Sequence, residues 1–207
     1  MATLVFIRHA ACDSGTGSAA RLCGWYDVPL TPLGCAQTER LREWLRMEPT
    51  ASAVYSSTLR RAAETARAAP LEPLPADSLR EINCGVLDGR PLEEIRARHP
   101  ELWRRNLAQN DEDFNWLGGE SYRQFRRRVL EAVSAIAANH KQERVLIFTH
   151  AGVISQVLGA LAGVSAARWE DFRPGYASIT EIDWNGGSPT VRRYDDRSHL
   201  GPLAVDG

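Results

Sequence analysis

A chain of 207 residues, 43% hydrophobic and 25% charged, has the make-up of one globular domain, read here as residues 1–207 and able to bury roughly 70% of its unfolded surface. Its 25 basic and 26 acidic residues leave a net charge of −1, which gives no global field for nucleic acid or an anionic membrane. No apolar run nears the ~20 residues of a membrane-spanning helix, and Arg8 arrives too early for a secretory signal, so a cytoplasmic location is expected.

Leu4–Ile7 is a short apolar run of the kind that forms a fully buried strand. Thr31-Pro32 then offers a helix cap followed by proline at the first helical position. The helix it opens carries Leu33, Leu41, Trp44 and Leu45 on one stripe and ends before Pro49. Ala53–Tyr55 is a second strand, and Ser56-Ser57 is read as the cap of a helix running through Leu59 and Ala66 toward Pro70. A short strand is expected near Leu71–Leu74. Residues 88–117 are the least regular, with helical pieces around Leu92–Arg98 and Glu101–Leu107, and are read as an excursion lying over a site.

Ser121 to Gln124 fits a capping box, and Tyr122, Phe125, Val129, Val133 and Ile136 recur at helical spacing. Val145–Thr149 is a buried-type strand, and Gly152 to Gly163 reads as the next helix. Ser178–Trp184 and Thr190–Tyr194 form a hairpin about the turn Asn185-Gly186-Gly187-Ser188-Pro189. The polar tail after Tyr194 is expected to be loosely held. Strands alternating with helices predict an α/β domain whose mostly parallel sheet is covered on both faces.

In such folds ligands bind beyond the carboxyl ends of the strands. The residues just past those ends are Arg8-His9, Ser56-Ser57 with Arg60-Arg61 a turn later, and Thr149-His150, while Arg80-Glu81 precedes the excursion. One histidine at a strand end is more often structural than catalytic. Two, each closing a strand as Arg8-His9 and Thr149-His150, point to a shared site. His99, His140 and His199 lack that setting and are read as solvated.

Guanidinium forks fit phosphate oxygens bidentately at any working pH. Histidine can itself take a phosphoryl group, and nearby arginines keep His9 neutral with a lone pair free to attack. A carboxyl beside a phosphate dianion holds its proton, so Glu81 can donate to a leaving oxygen. Arg8, Arg61 and a protonated His150 would neutralise the equatorial oxygens without metal.

Six ordered stretches carry a family resemblance. They are Phe6-Ile7-Arg8-His9-Ala10, Gly24 to Gly34 (G-x-x-D-x-P-L-T-x-x-G), Ser56 to Ala66 (S-S-x-L-x-R-A-x-x-T-A), Leu79 to Gly85 (L-x-E-x-x-x-G), Gly118-Gly119-Glu120-Ser121, and Phe148 to Val153. Over residues 3–184 the chain resembles the histidine phosphatase superfamily, the phosphoglycerate mutase-like enzymes named for an Arg-His-Gly motif. That resemblance implies a three-layer α/β/α sandwich and a phosphohistidine formed on His9. It also implies Arg8, Arg61 (rather than Arg60) and His150 around the phosphoryl group, with Glu81 as proton donor. No cofactor is implied, and the partner is a small phosphomonoester.

Several positions depart from the family pattern. Ala10 replaces a glycine, and no family asparagine follows the first motif, so Ser14 or the amides of Gly15 and Gly17 are read as substitutes. Arg21 and Ala151 are read as further phosphate or substrate contacts, and Glu120 as an anchor behind the site. Gly15-Thr16-Gly17-Ser18-Ala19-Ala20 fits a dinucleotide fingerprint but starts well after the strand end. The cysteines Cys12, Cys23, Cys35 and Cys84 show no metal or redox spacing and are read as reduced thiols, with Cys12 open to a reactive role near His9. Arg126-Arg127-Arg128 is read as the solvated side of a helix.

A phosphatase is favoured over a phosphoglycerate-type mutase because the interval from Glu81 to His150 is short. The residues also allow a phosphate-binding module without turnover, or a hydrolase using His9, His150 and Glu81 as metal ligands. The substrate and oligomeric state, a homodimer included, stay open.

Overall fold

In β1 (Ala2–Arg8) every residue but Thr3 is buried, so this strand needs neighbours on both edges and apolar cover on both faces. The computed structural model, which describes residues 1–185 and 189–205, supplies both. β1 pairs in parallel with β4 (Arg144–Thr149) and antiparallel with β5 (Ile179–Trp184). β2 (Ala53–Ser56) and β3 (Leu74–Pro75) extend one side, β6 (Thr190–Asp196) the other, giving the order β3-β2-β4-β1-β5-β6.

Successive side chains of a strand point to opposite faces, and the two cores follow that alternation. Val5, Ile7, Val54, Leu146 and Phe148 meet Leu41, Leu45 and Ala66 of α1 (Pro32–Leu45) and α2 (Arg60–Ala66). Leu4, Phe6, Val145 and Ile147 face α5 (Tyr122–Asn139) and α6 (Ala151–Leu161). The molecule is therefore an α/β/α sandwich with a mostly parallel sheet. A third cluster, including Ile95, Phe114, Trp116 and Tyr122, ties α3 (Leu92–Arg98) to the start of α5. The following helix, α4 (Pro100–Ala108), has no fully buried residue. No helix of the described residues is long and apolar enough to cross a membrane.

The helix starts obey local chemistry. Thr31 accepts from the Gly34 amide with Pro32 next in line, and Ser121 and Gln124 complete the capping box. The Ser56-Ser57 cap expected for α2 is displaced, because Leu59 holds that position. Ser57 Oγ instead accepts from the Leu59 amide and reaches His150.

Four other expectations change. The edge strand is Leu74–Pro75 rather than Leu71–Leu74, set where these residues pair with Tyr55 and Ser56 of β2 and the Ala76 amide donates to the Ser56 carbonyl. The tail is held: β6 continues to Asp196, Leu200 packs beside Ala10 and Ala177, and Gln37 donates to the Leu203 carbonyl. Among the histidines read as solvated, His140 bonds Tyr55 Oη and Glu143, and half-buried His199 lies against Trp44. Of the arginine triplet only Arg127 is exposed, because Arg126 reaches Gln156 and Arg128 turns under the sheet rim. Residues 186–188 of the expected hairpin turn lie outside the described residues.

Candidate active site

The register of the central pair fixes the site. Arg8 of β1 stands beside Thr149 of β4, so the next residues, His9 and His150, leave the sheet side by side. The His9 amide donates to the Thr149 carbonyl at 2.9 Å, and the ring centroids are 5.2 Å apart. His9 Nδ1 lies 2.9 Å from the Ala10 carbonyl oxygen. A carbonyl only accepts, so Nδ1 carries the hydrogen and Nε2 keeps its lone pair. Burial, reinforced by the charges of Arg61 and Arg8, holds His9 well below the usual histidine range, which keeps that lone pair available.

His150 is fully buried, with Nε2 2.8 Å from Ser57 Oγ. Its Nδ1 has no hydrogen-bond partner among the described residues. Burial first, then Arg61, His9 and Arg8, push it well below the ordinary value. These surroundings therefore favour the neutral imidazole over the protonated His150 expected from the sequence.

Both arginines are buried and fixed. Arg8 donates to the Pro174 carbonyl at 2.6 Å and lies 4.1 Å over the Tyr176 ring. Burial lowers it to about 10, so it remains a cation at neutral pH. Arg61 donates to the Gly24 and Tyr26 carbonyls at 2.7 and 3.0 Å. The same short helix receives the Leu30 amide on Glu64 and the Ala10 amide on Thr65. Arg60 instead faces solvent and pairs with Glu64.

Glu81 accepts from the Gly152 amide through Oε2 (3.0 Å) and from the Ile82 amide through Oε1 (2.9 Å). A methyl group at Gly152 would stand 2.1 Å from Glu81 Oε1, so any larger residue there must displace the Glu81 carboxylate. Arg128 holds the segment from behind, donating to the carbonyls of Ser78, Arg80 and Glu81. It also grips Glu120 with two bonds, and Glu120 in turn accepts from the Asn83 amide.

Arg8, His9, Arg61 and Glu81 line a cavity of about 300 Å³, and His150 backs the His9 ring. Ala151 and Ser14 are on its wall, whereas Gly15 and Gly17 are not. Arg21 stands at its exposed edge and donates to the Gly89 carbonyl at 2.8 Å. The dinucleotide-like glycines lie around a short 3-10 turn, Gly17–Ala19, away from any strand end. All four cysteines are free, and burial pushes the Cys12 and Cys84 thiols up, which argues against a reactive role for Cys12. Sequence reasoning missed Arg173, Tyr176 and Asn106 on the wall, and no strand-end or spacing signal marks them.

A family model described as the histidine phosphatase superfamily, branch 1, matches residues 4–197. The chain belongs to that superfamily. This histidine phosphatase is 32% identical over 205 residues to phosphoglycerate mutase-like protein 4 of Arabidopsis thaliana, covering 96% of this chain and 87% of the relative. It is also 32% identical over 203 residues to the metal-independent phosphoserine phosphatase of the same plant, covering 95% and 82%. Among solved structures, YhfR of Bacillus stearothermophilus superposes with a TM-score of 0.86 at 32% identity, over 97% of this chain and all of the other. The histidine phosphatase is therefore an enzyme with the phosphoglycerate mutase-like fold, rather than a binding module.

Proposed function

We propose that this enzyme hydrolyses a small phosphomonoester, without a metal ion, through a phosphohistidine on His9. The observation that carries the reading is the His9 Nδ1–Ala10 carbonyl contact, which leaves Nε2 as a nucleophile between two buried guanidinium groups. Nε2 attacks phosphorus as the ester P–O bond breaks, and Glu81 gives the departing oxygen its proton. Water then attacks the phosphohistidine, Glu81 takes up a proton from it, and inorganic phosphate leaves with the N–P bond broken.

Arg8 and Arg61 neutralise the equatorial oxygens, and the unpartnered Nδ1 of His150 meets one of them. Ala151 at the start of α6 adds the positive end of a helix, and Arg21 contacts substrate from the edge. Phosphoserine phosphatase activity in a 32%-identical relative supports hydrolysis of a phosphate ester as the overall reaction.

Rapid mixing with p-nitrophenyl phosphate, quenching in base and peptide mass analysis should place one phosphoryl group on His9. His9→Ala should lose both that adduct and turnover, by more than about 10⁴-fold. Near-native turnover in His9→Ala would overturn the covalent route. The mutase-like name of another relative supports a second reading, transfer back to substrate. Incubation with 3-phosphoglycerate and 2,3-bisphosphoglycerate decides it: isomer without free phosphate would replace hydrolysis by mutase chemistry.

A further inference from the structure

The cavity is larger than the phosphoryl chemistry needs, and its inner wall is made of carbon. α4 has no fully buried residue, yet it turns Trp103, Asn106 and Leu107 onto the cavity. Leu107 is 58% exposed and lies on the cavity beside Trp103, so the apolar wall continues outward past its buried part. Trp116, Tyr122 and Phe125, each no more than 4% exposed, complete the wall. The Tyr122 hydroxyl is already engaged, donating to Asn106 Oδ1 at 2.6 Å.

Apart from Arg8, Arg61 and Glu81, which the phosphoryl chemistry uses, the charged residues of the cavity are at its exposed edge. Arg21, Glu170 and Arg173 are exposed, Arg21 is bound to the Gly89 carbonyl, and Arg173 lies over the Trp169 ring. Exposed charges recognise a small charged ligand weakly, whereas an apolar wall rewards each methylene placed against it. We propose that the enzyme selects monoesters of a bulky, mainly apolar alcohol, an aryl or aralkyl group, over esters of small charged acids. Trp103 and Leu107 set that preference. This inference rests on the hydrolase reading above.

The test measures phosphate release by the whole protein from propyl phosphate, 3-phenylpropyl phosphate, phosphoserine and 3-phosphoglycerate. Propyl and phenylpropyl alcohols are alike as leaving groups, so their comparison isolates the cavity from the chemistry. The expected kcat/KM is at least about tenfold higher for the phenylpropyl ester than for the other three. A value for phosphoserine or 3-phosphoglycerate equal to or above it overturns the preference while leaving hydrolysis intact. No phosphate from any ester, with no adduct on His9, removes the hydrolase reading and this inference with it.

Leu107→Ser leaves the fold little affected because the side chain is exposed. It should shrink the phenylpropyl-to-propyl ratio about threefold, through KM. An unchanged ratio would show that α4 does not read the alcohol.

Discussion

A glycine and a glutamate face each other where α6 begins, and the space between them holds no spare atom. Gly152→Ala should push the Glu81 side chain aside while adding helix propensity to the first turn of α6. The expected result is a loss of about 100-fold in kcat with no fall in melting temperature, read by parallel kinetics and thermal denaturation. Glu81→Gln isolates the proton itself. It should slow an alkyl phosphate by about 10²- to 10⁴-fold but p-nitrophenyl phosphate by less than about tenfold, since nitrophenolate barely needs protonation. Equal losses on both esters would make Glu81 a positioning group. Of the residues around this carboxylate, Glu120 stands out in the sequence as an anchor. Arg128 does not, because a run of three arginines on a helix looks alike at every position until the helix phase is known.

At the scale of elements, periodicity and capping chemistry are the legible features. The span of α5 is written by Ser121 and by its apolar stripe, and the strand-end rule alone points to Arg8, His9 and His150. Contacts between distant elements are not legible. The bond from Ser57 to His150 needs β2 to sit beside β4, and Tyr176 meets Arg8 from a segment with no regular structure. The tail reads as loose because two leucines in a polar run leave no period to detect, although Leu200 is almost wholly buried. Ser121→Ala should cost about 1 kcal/mol by removing one half of the capping box, lowering the denaturant midpoint without changing the slope of the transition.

For the molecule as a whole, the buried histidines make acid a denaturant. His9 and His150 sit well below the usual value, and burial lowers His199 from 6.5 to about 4. The unfolded chain therefore binds protons that the folded one refuses as pH falls below about 6.5. Stability is fully present above that pH and declines below it, by about 1.4 kcal/mol per pH unit for each such histidine. His199 lies against Trp44 rather than in the cavity, so His199→Gln should reduce the slope of unfolding free energy between about pH 5 and pH 6 by one histidine's share. Chemical denaturation at several pH values measures it, and an unchanged slope would show that His199 does not titrate on unfolding.

The adjacency of β1 and β4 has a consequence for how this molecule comes into being. Neighbours in the sheet, they are far apart in sequence, one ending at Arg8 and the other starting at Arg144. Because that pairing is what sets the rings of His9 and His150 5.2 Å apart, the candidate site forms only once two distant stretches of chain have docked, a long-range contact of the kind that folds late. Turnover recovered during refolding is therefore expected to report completion of the central sheet rather than mere collapse.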